Sequence, residues 1–123
     1  MIVADELEVD WKKVIVEQAP YSPEQFPGAP FGQFSGGSQS IRRKWDVLRQ
    51  AGATAKQMLK QAAAQTWNVP VDEITTEDGF LHHKNTNQSV QYGEMAAVAA
   101  KLPIPEKVEL KEAQDYRIVQ GNL

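Results

Sequence analysis

Residues 38–68, with the sequence SQSIRRKWDVLRQAGATAKQMLKQAAAQTWN, decide the fold because they carry the longest helical pattern in the chain. Apolar and small residues recur there at alternating steps of four and three, which is the spacing of one helical face. These positions are Ile41, Trp45, Leu48, Gly52, Ala55, Leu59 and Ala62. The small residues in 51–55 leave room for a close neighbour on that face. We predict that the helix begins with Ser38 or Ser40 as its N-cap and ends near Trp67–Asn68, ahead of a proline that cannot continue it.

Short extended segments and two shorter helical patterns surround this helix. The extended segments, rich in β-branched residues or bounded by turn signals, are 14–17, 74–77, 80–83 and 89–92. Asp78-Gly79 is a tight-turn signal, so the second and third of these segments are expected to pair as a hairpin. Helical patterns cover residues 2–7 and 92–102. We therefore expect an α+β fold in which a short, mostly antiparallel sheet packs on one long and one shorter helix.

The chain length indicates one domain with one modest hydrophobic core, since it has 123 residues. We expect a single α+β domain over residues 1–110 and a linker toward a following domain over residues 111–123. The sequence starts inside a helical pattern and stops without a capping element, which is typical of a segment cut from a longer protein.

The composition excludes several classes of function. The net charge of -3 gives no electrostatic support to a nucleic-acid partner. The absence of cysteine excludes a disulfide framework, a thiolate metal site and a cysteine nucleophile. No stretch approaches the roughly 20 apolar residues that span a bilayer, so no direct membrane insertion is expected.

Residues 18–37 are rich in proline and glycine and predict a long loop without regular structure. Four aromatic residues lie in this loop, namely Tyr21, Phe26, Phe31 and Phe34. They argue against simple disorder and for a loop that packs onto another surface. One hypothesis is therefore a non-catalytic protein-interaction module that uses the aromatic loop 21–34.

The best candidate for a ligand contact is the glycine-serine loop, made of Gly36, Gly37, Ser38, Gln39 and Ser40. It leads directly into the predicted long helix, where unpaired backbone N–H groups and a partial positive charge can hold a phosphate. The alternative is a flexible helix start with a serine cap and no ligand. Local sequence alone favours this plainer alternative, because short glycine motifs often arise without a bound anion.

Other polar clusters are weaker candidates. His82 and His83 are adjacent on a predicted strand, so they point to opposite faces and do not chelate one metal easily; no metal ligands are assigned. Arg42-Arg43-Lys44 opposes the helix dipole, and it is either a solvated face or part of an anion site. Neither Ser38 nor Ser40 lies in a G-x-S-x-G motif, so no catalytic residue is assigned.

A co-linear set of short segments resembles one known family. The segments are 2–7 (IVADEL), 10–11 (DW), 14–20 (VIVEQAP), 35–41 (SGGSQSI), 48–55 (LRQAGATA), 58–59 (ML), 67–70 (WNVP), 92–95 (YGEM), 110–111 (LK) and 115–121 (DYRIVQG). Together they resemble the molybdopterin-binding large subunit of the xanthine dehydrogenase/aldehyde oxidase family, and in particular the isoquinoline 1-oxidoreductase β-subunit type.

The resemblance implies that the chain is part of a molybdenum hydroxylase large subunit, an oxidoreductase that hydroxylates N-heterocycles or aldehydes with oxygen from water. The cofactor of the parent protein would be molybdopterin, and the isolated chain is expected to hold none and to be inactive. The expected partners are the remainder of the same large subunit and an iron–sulfur small subunit.

The same resemblance places the glycine-serine loop, residues 36–40, against the pterin cofactor. This branch of the family carries related sequence in more than one part of the subunit, so a purely structural role for this copy is the alternative. Members of the branch often carry a twin-arginine export signal, which implies a periplasmic location.

Overall fold

The computed structural model describes residues 1–26 and 33–121. Residues 27–32 and 122–123 lie outside it, so Phe31 of the aromatic loop is not among the described residues. Four helices and three strands form in the described ranges. They are α1 (Ile2–Leu7), α2 (Gln39–Arg42), α3 (Trp45–Trp67), β1 (Ile74–Glu77), β2 (Phe80–His83), β3 (Gln88–Gln91) and α4 (Tyr92–Ala99). This α+β architecture confirms the predicted fold class.

The long helix begins later than predicted. Ser38 precedes α2, which has only four residues, and Arg43 and Lys44 separate it from α3. Lys44 is the N-cap of α3 and makes no side-chain capping bond. A serine cap on the long helix is therefore wrong, because Ser38 precedes α2 and the turn at Arg43 and Lys44 separates α2 from α3. Ile41 is 66% exposed.

The predicted end of the long helix is confirmed. Asn68 adopts the left-handed conformation at φ 54° and ψ 50°, which ends the helix after Trp67. The Val69 amide then donates to the Ala64 carbonyl at 3.0 Å, as in a Schellman C-cap. Asparagine is one of the few non-glycine residues that tolerates this conformation.

The three strands form one antiparallel sheet in the order β1-β2-β3. Asp78 and Gly79, both with positive φ, form the predicted turn, and the Glu77–Phe80 pair closes the β1-β2 hairpin. β3 starts and stops one residue before its predicted bounds, since Tyr92 opens α4.

One face of the sheet packs on α3 and α4 to form the core. Its buried members are Leu59, Ala62, Ala63, Ala64, Ile74, Leu81, Met95 and Ala99. Leu59 and Ala62 belong to the predicted face of the long helix. The alanines let the sheet approach α3 closely, so the core is formed largely from small side chains.

α1 packs on the first half of α3, where the small residues lie. A Cβ at Gly52 would stand 2.7 Å from the Val3 carbonyl oxygen and 2.9 Å from the Glu6 Cβ. Only glycine allows the two helices to approach this closely, which confirms the prediction of a close neighbour on this face.

The predicted strand at Val14–Glu17 is wrong, since no described residue pairs with this segment. A strand needs a partner for its backbone, and none of the described strands forms a ladder with this segment. Residues 111–121 cross back over α1, where Ile118 is buried. The division of the chain at residue 110 stays a prediction.

Candidate functional site

The glycine-serine loop is a largely exposed turn that runs into α2, whose first two residues are Gln39 and Ser40. Gly37 and Ser38 both have positive φ, at 61° and 53°, and the Gln39 amide donates to the Gly36 carbonyl at 3.4 Å. The Ser35 and Ser40 hydroxyl oxygens lie 3.3 Å apart. The turn therefore closes on itself through local hydrogen bonds and has no contact with the hydrophobic core.

The aromatic ring of Phe34 covers one side of this turn. A Cβ at Gly36 would lie 2.5 Å from the ring, and Phe34 is itself 73% exposed. Ser38 is the N-cap residue of α2, but its side chain makes no capping hydrogen bond. The hydroxyl of Ser38 is thus not used by the helix, contrary to the plain cap interpretation.

The donor set of the loop suits an oxygen-rich or anionic ligand. Backbone amides and the Ser38 and Ser40 hydroxyls donate hydrogen bonds, and Arg42, Arg43 and Lys44 add positive charge nearby. Residues 33–45 contain no carboxylate that would repel an anion. Because α2 has only four residues, its dipole adds little. The loop can form one wall of a binding site, and its exposure leaves the remaining walls to other residues.

A second cluster, which we call the α1 carboxylate cluster, consists of Asp5, Glu6 and Glu8. Asp5 and Glu6 are each 1% exposed. One Asp5 carboxylate oxygen accepts from the Lys111 ammonium at 3.0 Å and the Arg117 amide at 3.2 Å. Its other oxygen accepts from the backbone amides at the end of the chain.

Those two amides belong to Ile118 and Val119, which donate to Asp5 at 3.1 and 2.8 Å. Burial alone would raise the pKa of Asp5. The hydrogen bonds from the Val119 amide and the Lys111 ammonium outweigh burial and hold the pKa below its ordinary value. Asp5 is therefore a carboxylate at neutral pH that fixes residues 117–119 to α1.

Glu6 joins residues 111–119, which we call the return segment, to α3. Its carboxylate accepts from the Arg49 guanidinium at 2.7 Å and from the Lys111 amide at 3.0 Å. Arg49 also donates to the Lys111 carbonyl at 2.6 Å. The hydrogen bond that Arg49 donates to Glu6 raises the pKa of Arg49 above its ordinary value. Three distant parts of the sequence thus meet at one buried ion pair.

Glu8 extends the cluster to the sheet. Its carboxylate accepts from the Thr76 hydroxyl and lies 3.6 Å from the Lys56 ammonium. The nearby Tyr92 hydroxyl donates to the Leu7 carbonyl at 2.8 Å. Burial, with a smaller contribution from the charge of Glu8, raises the pKa of Tyr92 above its ordinary value.

The chemistry of the α1 carboxylate cluster is structural. Every buried side-chain N or O atom in the described ranges has a hydrogen-bond partner, so none of them is left unpaired to bind a substrate. A cleft of about 200 Å³ borders the cluster and is lined by Asp5, Glu8, Asp10, Trp11, Lys111 and Arg117 among others. The residues that line it include none of the glycine-serine loop, so the two candidate regions are separate.

His82 and His83 point to opposite faces of β2, as predicted. His83 is 2% exposed, with its ring nitrogens 2.7 Å from the Thr86 hydroxyl and 2.6 Å from the Glu73 carboxylate. His82 stacks on Phe80 instead. Within residues 1–26 and 33–121, no three metal-ligating side chains gather into a site. No helix there has the length and hydropathy to cross a membrane.

Sequence reasoning missed the α1 carboxylate cluster. The available signal was the charged pair Asp5-Glu6 inside a short, otherwise apolar helical face. Two adjacent carboxylates in an apolar helix need hydrogen-bond donors if they are buried. The donors Arg49 and Lys111 did not stand out, because both lie in segments that mix polar and apolar residues. The pairing itself joins residues 43 to 114 positions apart, which periodicity does not reveal.

The sequence matches known proteins over nearly its whole length. The family profile described as a molybdopterin cofactor-binding domain matches residues 1–122. Isoquinoline 1-oxidoreductase subunit beta from Brevundimonas diminuta is 39% identical over 107 residues, which cover 85% of this chain and 13% of that protein.

A second relative is the membrane-bound aldehyde dehydrogenase (pyrroloquinoline-quinone) from Gluconacetobacter polyoxogenes. It is 29% identical over 127 residues, which cover 98% of this chain and 15% of that protein. The chain therefore spans about one seventh of the length of these two curated relatives.

Proposed function

The chain belongs to the family of molybdopterin cofactor-binding domains, and from this premise we propose that it is a segment of a molybdenum hydroxylase large subunit. The observation that carries the proposal is the match over residues 1–122, together with 39% identity to the isoquinoline 1-oxidoreductase β subunit. The parent enzyme would oxidise N-heterocycles or aldehydes, with water as the source of oxygen. When bound, the molybdenum cofactor supplies the redox chemistry.

The segment contributes a rigid scaffold to that subunit. The α1 carboxylate cluster joins α1, α3 and the return segment 111–119 through buried charged hydrogen bonds. Such pairs fix one arrangement, because a buried charge without its partner is strongly unfavourable. The glycine-serine loop, closed by its own local hydrogen bonds, leads through α2 into this framework.

The glycine-serine loop is the part of the segment that contacts the cofactor in this proposal. Its amides and the Ser38 and Ser40 hydroxyls fit the pyrophosphate or pterin oxygens, and Ser38 is not used as a helix cap. The turn lies outside the core and has only local hydrogen bonds, so a ligand can reach it. The remaining walls of the site would come from other parts of the subunit.

The proposed partners are the remainder of the same large subunit and an iron–sulfur small subunit. The relative named as subunit beta supports a multi-subunit enzyme. A periplasmic location and a following domain beyond residues 111–123 belong to the same proposal and rest on the family resemblance.

The test uses the full-length parent subunit, assembled with its partner. We expect bound molybdenum and pterin, measured by elemental analysis and by fluorescence of the oxidised pterin, and oxidation of an N-heterocycle or aldehyde with an artificial electron acceptor. A subunit that carries pyrroloquinoline quinone and no molybdenum would refute the proposal. Turnover by the isolated 123-residue chain would contradict the scaffold role.

The role of the glycine-serine loop is tested in the same full-length subunit. The double variant Ser38→Ala with Ser40→Ala should lower cofactor content while the thermal unfolding midpoint stays unchanged. Ser89→Ala, an exposed serine on β3, is the matched control. Unchanged cofactor content in the double variant would show that the loop only begins α2.

A protein-interaction module is the second candidate function. Tyr21 and Phe34, at the two ends of the aromatic loop 21–34, are 81% and 73% exposed, and such aromatic exposure favours a docking surface. Replacing Tyr21 and Phe34 with serine in the full-length subunit separates the two candidates. Loss of a subunit contact with normal cofactor content would favour the module.

A further inference from the structure

Residues 14–19, with the sequence VIVEQA, form an extended segment that has no partner among the described residues. Val14 has strand-like dihedrals, at φ -77° and ψ 124°. Ile15 and Val16 are 83% and 81% exposed, which is unusual for consecutive β-branched residues. The sequence favours a strand here, and the tertiary structure of the chain does not provide the neighbour that a strand requires.

The backbone of this segment offers hydrogen-bonding groups that the described part of the chain does not use. No amide of residues 15–19 donates to a described residue. The amides on either side are used, since Val14 donates to the Trp11 carbonyl at 3.2 Å and Ser22 donates to the Gln33 side chain at 2.6 Å. No amide between Ile15 and Tyr21 donates to a described residue, and this stretch contains the segment with strand propensity.

Both ends of the segment are fixed. The turn Trp11–Lys13 begins with Asp10, whose carboxylate accepts from the Lys12 amide at 3.0 Å. At the other end, Gln33 donates to the Pro20 carbonyl at 2.9 Å. Proline has no N–H, so a ladder that starts at Val14 stops before Pro20. These anchors hold residues 14–19 ready to pair and reduce the entropy lost on pairing.

The side chains indicate which kind of sheet would receive the segment. Successive residues of a strand point to opposite faces, so Ile15 and Glu17 share one face, while Val14, Val16 and Gln18 share the other. The segment is therefore apolar on both faces at residues 14–16. A strand that is apolar on both faces is typical of a sheet covered on both sides, whereas an edge strand open to water alternates apolar and polar residues.

We propose that residues 14–19 donate a β-strand to a sheet in the remainder of the parent subunit, whose two faces are covered by apolar side chains. This inference rests on the proposed function, in which the chain is a segment of a larger protein. The chain covers 13% and 15% of its two relatives, so most of the length that could supply the sheet lies elsewhere in such a subunit. The partner is an unpaired strand edge of that subunit.

The test is hydrogen–deuterium exchange on the full-length subunit, with molybdenum content measured on the same sample. Alternate amides in 15–19, those that face the partner strand, should exchange at least about a hundredfold more slowly than amides of an unstructured peptide, because ladder amides exchange only when the structure opens. Fast exchange in a subunit that contains molybdenum would overturn strand donation and leave the proposed function standing. Slow exchange in a subunit without molybdopterin would support strand donation and refute the proposed function.

Proline and threonine variants separate backbone pairing from side-chain burial. Because consecutive N–H groups point to opposite sides of a strand, either Ile15→Pro or Val16→Pro removes a ladder N–H, and that variant should abolish the protection in 15–19. Val16→Thr keeps the N–H and the β-branch and should retain the protection. Ile104→Pro, at another residue that is 75% exposed, is the matched control and should leave the segment protected. Protection that disappears on dilution of the subunit would assign the partner to a second copy and overturn the proposal.

Discussion

Asp5→Asn is the sharpest test of how this chain is held together. Four donors meet the two Asp5 carboxylate oxygens, two on each oxygen, at 2.8 to 3.2 Å. Asparagine keeps one acceptor oxygen and turns its NH₂ group toward the two donors on the other side. Two donors therefore lose their acceptor, and the Lys111 ammonium keeps only the Glu8 carboxylate, 3.5 Å away, as a counter-charge.

The expected loss follows from these contacts. Each hydrogen bond to a charged group contributes about 1.5–3 kcal/mol, and removal of one partner of a buried ion pair costs about 3–5 kcal/mol. The two estimates agree, so we expect the free energy of unfolding to fall by about 3–5 kcal/mol, a large part of the roughly 5–15 kcal/mol of a typical domain. Urea unfolding followed by circular dichroism measures it, with Asp72→Asn, an exposed aspartate, expected to change it by under about 0.5 kcal/mol.

The pH dependence gives a second measurement of the same residue. The pKa of Asp5 is lower in the folded chain than in the unfolded chain, so its contribution is complete above the unfolded value. That contribution is lost as the pH falls below about 4 and passes through the folded pKa. The difference in stability between wild type and Asp5→Asn should therefore narrow at acidic pH. A change under about 0.5 kcal/mol at neutral pH, with unchanged exchange of the Ile118 and Val119 amides, would refute the reasoning.

Three further substitutions test the fold. Gly52→Ala should destabilise the chain by about 1–3 kcal/mol in urea unfolding, because its Cβ would stand 2.7 Å from the Val3 carbonyl oxygen, and an unchanged midpoint would contradict the close helix contact. Leu81→Ala should lower the free energy of unfolding by about 2–5 kcal/mol, since Leu81 is 0% exposed and its loss leaves a cavity; a smaller loss would show that the core closes around the gap. Tyr92→Phe should cost about 0.5–1.5 kcal/mol through the lost bond to Leu7, and in wild type the Tyr92 hydroxyl should resist ionisation in ultraviolet titration at pH values where exposed tyrosines ionise.

Much of the fold could be predicted because its signals are local. The helical period located the body of α3. The proline at residue 70 predicted an end near Trp67–Asn68, and the helix ends there with Asn68 in the left-handed conformation. The Asp78-Gly79 turn determined the β1-β2 register, since a two-residue turn leaves only one pairing. The small residues around Gly52 predicted a close neighbour, although they did not identify α1 as that neighbour.

The errors arose where pairing partners decide the structure. Val14–Glu17 has the composition of a strand, but strand formation depends on a neighbour that the described chain does not provide. The serine cap was wrong because α2 and α3 are separate helices, and the break at Arg43 and Lys44 leaves no strong signal in the sequence.

Of the two candidate regions, the sequence predicted one and missed the other. The glycine-serine loop was visible in the sequence because glycine and serine mark a turn wherever they occur together. Its role as a cofactor contact stays a prediction. The α1 carboxylate cluster was not predicted, because charges in a helix are ordinarily solvated and their burial depends on what packs over them.

The sequence by itself determined α1, the body of α3, the hairpin and the family to which the chain belongs, since each depends on residue types at short or co-linear spacing. Only the tertiary structure decided that Asp5 and Glu6 lie buried and bind Lys111, Arg49 and the amides of residues 117–119. The physical reason is that a carboxylate leaves water only when several donors surround it at once. Those donors come from segments far apart in the chain, and only folding brings them together.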